Sequence, residues 1–348
     1  MTARRISKAL HIGGVTVGGR APIAVQSMTK TDTRDVRSTV RQIKELEECG
    51  CELIRVAVPD QEAAGALADI KKNISIPLIA DIHFDHRLAL SALEAGVDGL
   101  RLNPGNISER DKVTAVVAAA KERHVPIRIG VNAGSLPPAT DPGQNIAQRM
   151  VAAALGHVKL LEERDFDLIK LSLKAFDVPT TIEAYRRVAE LTPYPLHLGI
   201  TEAGLPGTGI IRSATGIGTL LYLGLGDTLR VSLTTHPREE VTAGYEILKS
   251  LGLRERGPVL VSCPQCGRAE VNLMALAEEV AQALTKVTKP IRVAVMGCVV
   301  NGPGEAKDAD VGLACGKDKA VLFRKGQKLA VLEKEDFVSA LMREIDNL

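Results

Sequence analysis

The chain has 348 residues, 44 Lys+Arg against 42 Asp+Glu for a formal net charge of +2, 45% hydrophobic residues and 25% charged residues. This composition excludes a disordered chain and a membrane-spanning one, and it leaves no global field to draw nucleic acid or anionic lipid. Aromatic residues at 3% with no Trp weigh against base-stacking platforms as well.

The start, with Arg4, Arg5 and Lys8, is basic and lacks the apolar stretch of a secretory signal, so a cytoplasmic address is expected. In that reducing compartment the six cysteines are read as core residues, metal ligands or redox groups. Their placement is lopsided. Cys49 and Cys51 lie early, whereas Cys263, Cys266, Cys298 and Cys315 fall in the last quarter.

Between residues 21 and 250, eight β-rich runs alternate with helical patterns: 21–29, 51–59, 76–84, 99–103, 126–132, 168–174, 195–201 and 228–234. In the first intervening helix, Val36, Val40, Ile43 and Leu46 recur at helical spacing, with Asp32 or Thr33 as cap and Gly50 as stop. The repeat predicts a (β/α)₈ TIM barrel over 1–251. An open doubly wound sheet would want a Gly-rich first turn, and residues 21–34 contain no GxGxxG. Residues 252–258 read as a linker. Beyond them, 258–348 predict a small α+β domain: a strand at 259–262, a Cys-rich turn, a helix near 271–285, a strand at 291–296, a Gly-rich loop, a hairpin near 319–332 and a closing helix. So short a unit buries a modest core, and a metal centre would help to hold it.

Period-2 alternation puts polar residues on one face late in most of the barrel strands, where barrel enzymes keep their sites. Asp81 pairs in this way with His83, Arg101 with Asn103, Arg128 with Asn132, Lys170 with Ser172 and Lys174, His197 with Thr201, and Arg230 with Ser232 and Thr234, while Arg55 sits late on its own strand. Four arginines at one mouth, with Asp81 and Glu202 as the chief carboxylates nearby, call for a polyanionic ligand. Guanidinium forks match phosphate oxygens, so a phosphate or diphosphate ester is the natural inference. Glu202, in the loop after the seventh strand, is a candidate proton donor; the plainer reading pairs it with Arg101 or Arg128.

Cys263 and Cys266 form a CxxC. No His follows His236, and Cys298 and Cys315 are too far apart for a second zinc knuckle, so iron–sulfur chemistry is favoured over zinc. Glu305 or Cys315 could supply a fourth ligand. Cys49 and Cys51 read as structural residues, because a CxC alone is weak evidence for metal.

Several segments, VQSMT at 25–29, ADIHF at 80–84, RLNPGN at 101–106, RIGVN at 128–132, TEAG at 201–204, SCPQCGR at 262–268 and MGCVVNGPGE at 296–305, together resemble the 4-hydroxy-3-methylbut-2-en-1-yl diphosphate synthase family. The resemblance runs in order along essentially the whole chain. It implies two-electron reduction of 2-C-methyl-D-erythritol 2,4-cyclodiphosphate, with ring opening and loss of water, in the non-mevalonate isoprenoid pathway. It further implies electrons from flavodoxin or ferredoxin through a 4Fe–4S cluster held by Cys263, Cys266, Cys298 and Glu305, the carboxylate being able to leave. By the same resemblance Glu202 is the acid/base residue, and Arg55, His83, Arg101, Arg128, Lys174 and Ser232 bind diphosphate. The family's compact two-domain form is similar to a homodimer in which each cluster domain caps the partner's barrel. Cys315 matches no family ligand. A rival reading is a barrel transferase or lyase on a phosphate ester with a merely structural metal module, similar to the pterin-binding synthases. A second rival makes the C-terminal unit a zinc-stabilised interaction module.

Overall fold

The computed structural model describes residues 2–83, 85–102, 110–136, 138, 143–298, 304 and 306–348. It falls into two compact units, Met1–Arg254 and Glu255–Leu348.

The first unit opens with a short antiparallel hairpin, β1 (Leu10–Ile12) and β2 (Val15–Val17), which the sequence reading did not anticipate. Its apolar residues Leu10, Ile12 and Val17 pack with Ala24, Leu53 and Ile79 from three barrel strands. A Cβ at Gly99, on the strand beside Ile79, would meet Ile79 at 3.3 Å and Ile12 at 3.6 Å. The hairpin therefore seals the end of the barrel at which these strands begin.

Eight parallel strands follow, each leading into a helix: β3 (Ala24–Met28), β4 (Leu53–Ala57), β5 (Leu78–Ile82), β6 (Gly99–Leu102), β7 (Ile127–Asn132), β8 (Ile169–Lys174), β9 (His197–Leu198) and β10 (Thr228–Leu229). Their order in the sheet is β8-β7-β6-β5-β4-β3-β10-β9, and a parallel bridge between Leu171 and Leu196 closes the ring. This is the TIM barrel expected from the repeat. The helices are α1 (Val36–Glu48), α2 (Gln61–Lys72), α3 (His86–Glu94), α4 (Arg110–Glu122), α5 (Ile146–Glu162), α6 (Val178–Leu191), α7 (Pro206–Tyr222) and α8 (Pro237–Ser250). Asp60, Asp85, Asn145 and Asp177 accept from backbone N–H groups at the starts of α2, α3, α5 and α6. Asp35 caps α1 by accepting from the Ser38 amide, in place of Asp32 or Thr33, because the Asp32 carboxylate is engaged by Arg34. Outward strand residues such as Ile54, Val56, Leu78, Ala80 and Leu100 meet the inner faces of the helices in one continuous core.

The second unit is a five-stranded mixed sheet, β11 (Val259–Ser262), β12 (Arg292–Met296), β13 (Val311–Cys315), β14 (Lys319–Arg324) and β15 (Gln327–Glu333), in sequential order. The first three strands are parallel and the last two antiparallel. Helices α9 (Leu273–Leu284) and α10 (Phe337–Asp346) pack on one face through Leu273, Val280, Phe337, Leu341 and Ile345. Among the described residues no helix is long and apolar enough to cross a membrane.

Candidate functional site

Each inward position follows from the period-2 pleat. Asp81 stands beside Arg101, Arg101 beside Arg128, and Arg128 beside Lys170, so four adjacent strands present one row of charge inside the barrel. Apolar side chains usually fill such an interior. Here Arg55, Asp81, Arg101, Arg128, Lys170 and Lys174 are all buried.

Asp81 organises one side of this row. Arg101 donates through Nη1 to Asp81 Oδ1 at 2.9 Å and to His83 Nε2 at 2.7 Å, and Arg55 Nε lies 3.4 Å from Asp81 Oδ2. Burial alone would raise the Asp81 carboxyl; Arg55 and Arg101 outweigh it and hold the pKa down to about 2. Burial also depresses Arg55, to about 10, against the pull of Asp81. On the other side Arg128 donates to Ser172 Oγ at 2.6 Å, leaving its Nε and Nη2 without partners among the described residues. Lys170 Nζ, Arg101 Nε and both amide atoms of Gln26 are orphaned in the same way. Buried donors without acceptors cost roughly 1–3 kcal/mol each. A ligand rich in oxygen acceptors would relieve several of them together.

Lys174 reaches His197 Nε2 at 3.4 Å, and burial followed by the nearby arginines drives its pKa well below that of a free lysine. Arg230 is partnered by Glu240, which it meets at 3.1 Å, while Lys30 lies 3.0 Å from the same carboxylate. Sequence reasoning missed Glu240 because it sits in the first turn of α8 and reaches back into the barrel. It also missed Gly130 and Gly199. A Cβ at Gly130 would lie 2.6 Å from Arg101 Nε, and one at Gly199 would collide with the Lys174 amine. These glycines, inside strand-like runs, are the sequence trace of two buried cations.

Glu202 is exposed in the turn after β9, with φ at +54°, a left-handed conformation uncommon for a residue with a side chain. The alternative that paired it with Arg101 or Arg128 is not what the structure has, since those guanidinium groups are turned to Asp81, His83 and Ser172. Asn132 ends β7 and Ser232 is half-buried shortly after β10. Asn103 lies outside the described residues.

The cysteines of the second unit follow the C-terminal ends of neighbouring strands. Ser262 of β11 pairs in register with Val295 of β12, so Cys263 leaves the sheet level with Met296. The Gly297 amide donates to Cys263 Sγ at 3.4 Å. A Cβ at Gly297 would meet Leu273 at 3.2 Å and Ala269 at 3.3 Å, so the glycine admits this close approach. Hydrogen bonding from the Arg268 amide and side chain holds the exposed Cys266 thiol below its usual pKa. Cys263, Cys266 and Cys298 are free thiols. Cys315 belongs to the core under α9 and α10, and burial raises its thiol to about 12. Among the described residues no three His, Cys, Asp or Glu side chains are gathered as an ion site, and Glu305 lies outside them. The donor chemistry nevertheless fits an iron–sulfur group: soft thiol ligands on two adjacent loops, with backbone N–H groups aimed at sulfur.

Comparison with known proteins bears on both units. The GcpE TIM-barrel domain matches residues 7–245, and the GcpE protein C-terminal domain matches residues 259–347. The chain belongs to the GcpE family. Among its GcpE relatives, a protein of Dehalococcoides mccartyi named 4-hydroxy-3-methylbut-2-en-1-yl diphosphate synthase (flavodoxin) is 65% identical over 348 residues, covering 100% of both chains. Proteins of the same name from Geobacter sulfurreducens and Thermodesulfovibrio yellowstonii are 56% and 54% identical, covering 98% and 99% of each chain. Among solved structures, dihydropteroate synthase from Xanthomonas albilineans in complex with 7,8-dihydropteroate superposes with a TM-score of 0.53 at 17% identity, covering 71% of this chain and 98% of that one. The last likeness concerns the fold alone.

Proposed function

We infer that this chain is an oxidoreductase that converts 2-C-methyl-D-erythritol 2,4-cyclodiphosphate to 4-hydroxy-3-methylbut-2-enyl diphosphate by two-electron reductive ring opening with loss of water, in non-mevalonate isoprenoid synthesis. The observation that carries this reading is the inward row Asp81, Arg101, Arg128 and Lys170, with orphaned nitrogens on Arg128 and Lys170, in a chain 65% identical over its full length to a protein of that name.

Binding comes first. Arg55, Arg101, Arg128 and Lys174 neutralise the diphosphate and fix its orientation, with His83, Asn103, Asn132, Arg230 and Ser232 completing the polar wall. Asp81 keeps the Arg55 and Arg101 side chains apart from each other and aimed into the barrel. Positioning of this kind converts binding energy into a lower barrier by removing rotational freedom before the bond breaks. Glu202 holds a proton for the oxygen that departs as water, and its loop brings it to the rim of the same cavity.

Cys263, Cys266, Cys298 and Glu305 would hold a 4Fe–4S cluster, which when bound supplies electrons and Lewis acidity at the C–O bond being broken. The Gly297 amide, donating to Cys263 Sγ at 3.4 Å, would stabilise charge on that sulfur. Flavodoxin, which the relatives' names carry, is the proposed donor, with ferredoxin as the other electron carrier of the same role. The proposed assembly is a homodimer in which each cluster domain caps the partner's barrel.

The test is an anaerobic absorption and electron paramagnetic resonance spectrum of the purified protein, with and without the cyclodiphosphate. Bound iron and sulfide in about fourfold amounts and a signal that changes on adding substrate are expected. A colourless, zinc-loaded protein would overturn the redox reading and favour the barrel transferase.

A further inference from the structure

We propose that His197 is a positioning residue for the substrate's diphosphate: a neutral imidazole, protonated on Nδ1, whose Nε2 accepts from Lys174 and holds that amine toward the ligand. The proposal rests on the diphosphate reading above.

The geometry is closed on every side. His197 stands on β9 with 0% of its surface exposed, facing into the barrel between β8 and β10. Its Nδ1 lies 2.8 Å from Oγ1 of Thr228, its register partner on β10. Its Nε2 lies 3.4 Å from Lys174 Nζ at the end of β8. Its carbonyl accepts from the Tyr185 hydroxyl of α6 at 2.5 Å, which fixes the backbone beneath the ring. Beside the amine the chain has Gly199, where any Cβ would overlap Lys174 Nζ and come within 2.9 Å of its Cε. The lysine thus lies in a slot with a glycine wall and a histidine floor.

Donor and acceptor bookkeeping sets the tautomer. A bound diphosphate favours the charged form of Lys174, and a lysine ammonium has three donors and no acceptor, so the Nε2 contact is then a hydrogen bond only if that nitrogen carries the lone pair. The remaining proton is then on Nδ1, donating to Thr228 Oγ1. An imidazolium would turn an N–H against the ammonium, among Arg128, Lys170 and Arg55. Burial, followed by the charges of Lys174, Arg128, Lys170 and Arg55, lowers the ring's pKa well below its ordinary value. Among the described residues no carboxylate is hydrogen-bonded to either ring nitrogen. The ring is therefore a fixed acceptor rather than a proton shuttle, and it turns one long, rotatable side chain into an oriented cation.

The test uses the holoenzyme with inorganic pyrophosphate and the cyclodiphosphate as probes, comparing His197→Phe, His197→Gln and Lys174→Met. A glutamine carbonyl can accept in place of Nε2; a phenyl ring cannot. The expected result is that His197→Phe weakens pyrophosphate binding and raises KM on the order of 10- to 100-fold, with kcat changed much less. His197→Gln should stay within about threefold of the parent protein, since the acceptor is kept. Lys174→Met should match or exceed the loss in His197→Phe. Wild-type affinity in His197→Phe alongside a weakened Lys174→Met overturns the proposal, as does a His197→Gln as weak as the phenylalanine variant. Unchanged affinity in all three removes Lys174 from the diphosphate site and defeats the underlying reading instead. Nitrogen-15 spectra of the histidines in the unaltered protein decide the matter even if His197→Phe does not fold. A proton on Nδ1 alone is expected at neutral pH and on lowering the pH into the range where an ordinary imidazole becomes charged. An Nε2–H tautomer or an imidazolium at His197 overturns the proposal.

Discussion

Arg101 donates to Asp81 at 2.9 Å with both side chains almost sealed from water. Two arginines share this one carboxylate, since Arg55 lies 3.4 Å from its other oxygen. Removing one member of such a buried pair leaves uncompensated charge, which costs more than the pair contributes when intact. Asp81→Asn should therefore lower stability by roughly 3–5 kcal/mol in urea unfolding. The carboxyl pKa falls from 3.8 to about 2 on folding, so its contribution is full above pH 4 and drains away as pH falls toward 2. The parent protein should lose roughly 2 kcal/mol across that window from this group, and Asp81→Asn should lack that part of the acid dependence. An identical acid profile in the two proteins would contradict the assignment.

Lys170 offers the opposite experiment, because its amine is buried beside Arg128 with no partner among the described residues. Burial, then Arg128 and Arg55, pushes its pKa well below the lysine value of 10.5, outweighing the more distant Asp227. The unfolded chain thus binds a proton that the folded chain lacks, and stability rises with pH up to the unfolded value. Lys170→Met should be more stable than the parent near neutral pH by roughly 1–3 kcal/mol, the cost of an orphaned polar group. That advantage should shrink as pH approaches 10. Chemical unfolding at pH 7 and pH 10 checks it; a variant less stable at pH 7 would mean that the amine is satisfied in the folded protein.

Much of this architecture is legible in the sequence, and the exceptions have physical causes. The long barrel strands announce themselves because their outward faces are aliphatic and their inward faces polar. The last two are shorter than their apolar runs suggest: β9 ends at Leu198 and β10 at Leu229, and the chain beyond turns to build the rim, with the Thr234 amide bonded to the Gly204 carbonyl. β13 escapes notice because its run, VGLAC, is small and contains a glycine. That glycine is required, since a Cβ at Gly312 would lie 2.6 Å from both the Ala294 carbonyl and Phe323. The cation row is visible as alternating Arg and Lys, but its counter-ion Glu240 is not, because a helix returns it to the strand from ten residues away.

Glu202 should separate chemistry from binding. Glu202→Gln keeps the size and the left-handed backbone at φ +54° while removing the ionisable proton. Turnover should fall on the order of 10²- to 10⁴-fold, the usual worth of a general acid or base. Pyrophosphate affinity, read by calorimetry, should hold, because Glu202 has no hydrogen bond to the arginine row, whose members are turned to Asp81, His83 and Ser172. Retained turnover would remove Glu202 from the acid/base role, and a parallel loss of binding would recast it as a structural part of the rim.

Gly130 tests whether Arg101 is a placed group or merely a buried one. Its backbone lies on β7 opposite Ser172 of β8, and an added methyl would stand 2.6 Å from Arg101 Nε, 3.2 Å from Nη2 and 3.3 Å from Cζ. The clash falls on the root and plane of the guanidinium, so bending only the far end of the side chain does not relieve it. Gly130→Ala should thus displace Arg101 from Asp81 and His83 without removing any charge. Diphosphate affinity should drop about tenfold or more, in line with the loss of a charge-assisted hydrogen bond. The double variant Gly130→Ala with Arg101→Met should bind no more weakly than Arg101→Met alone, because the methyl then has no guanidinium to displace. Additive losses in that cycle would place the effect of the methyl somewhere other than Arg101.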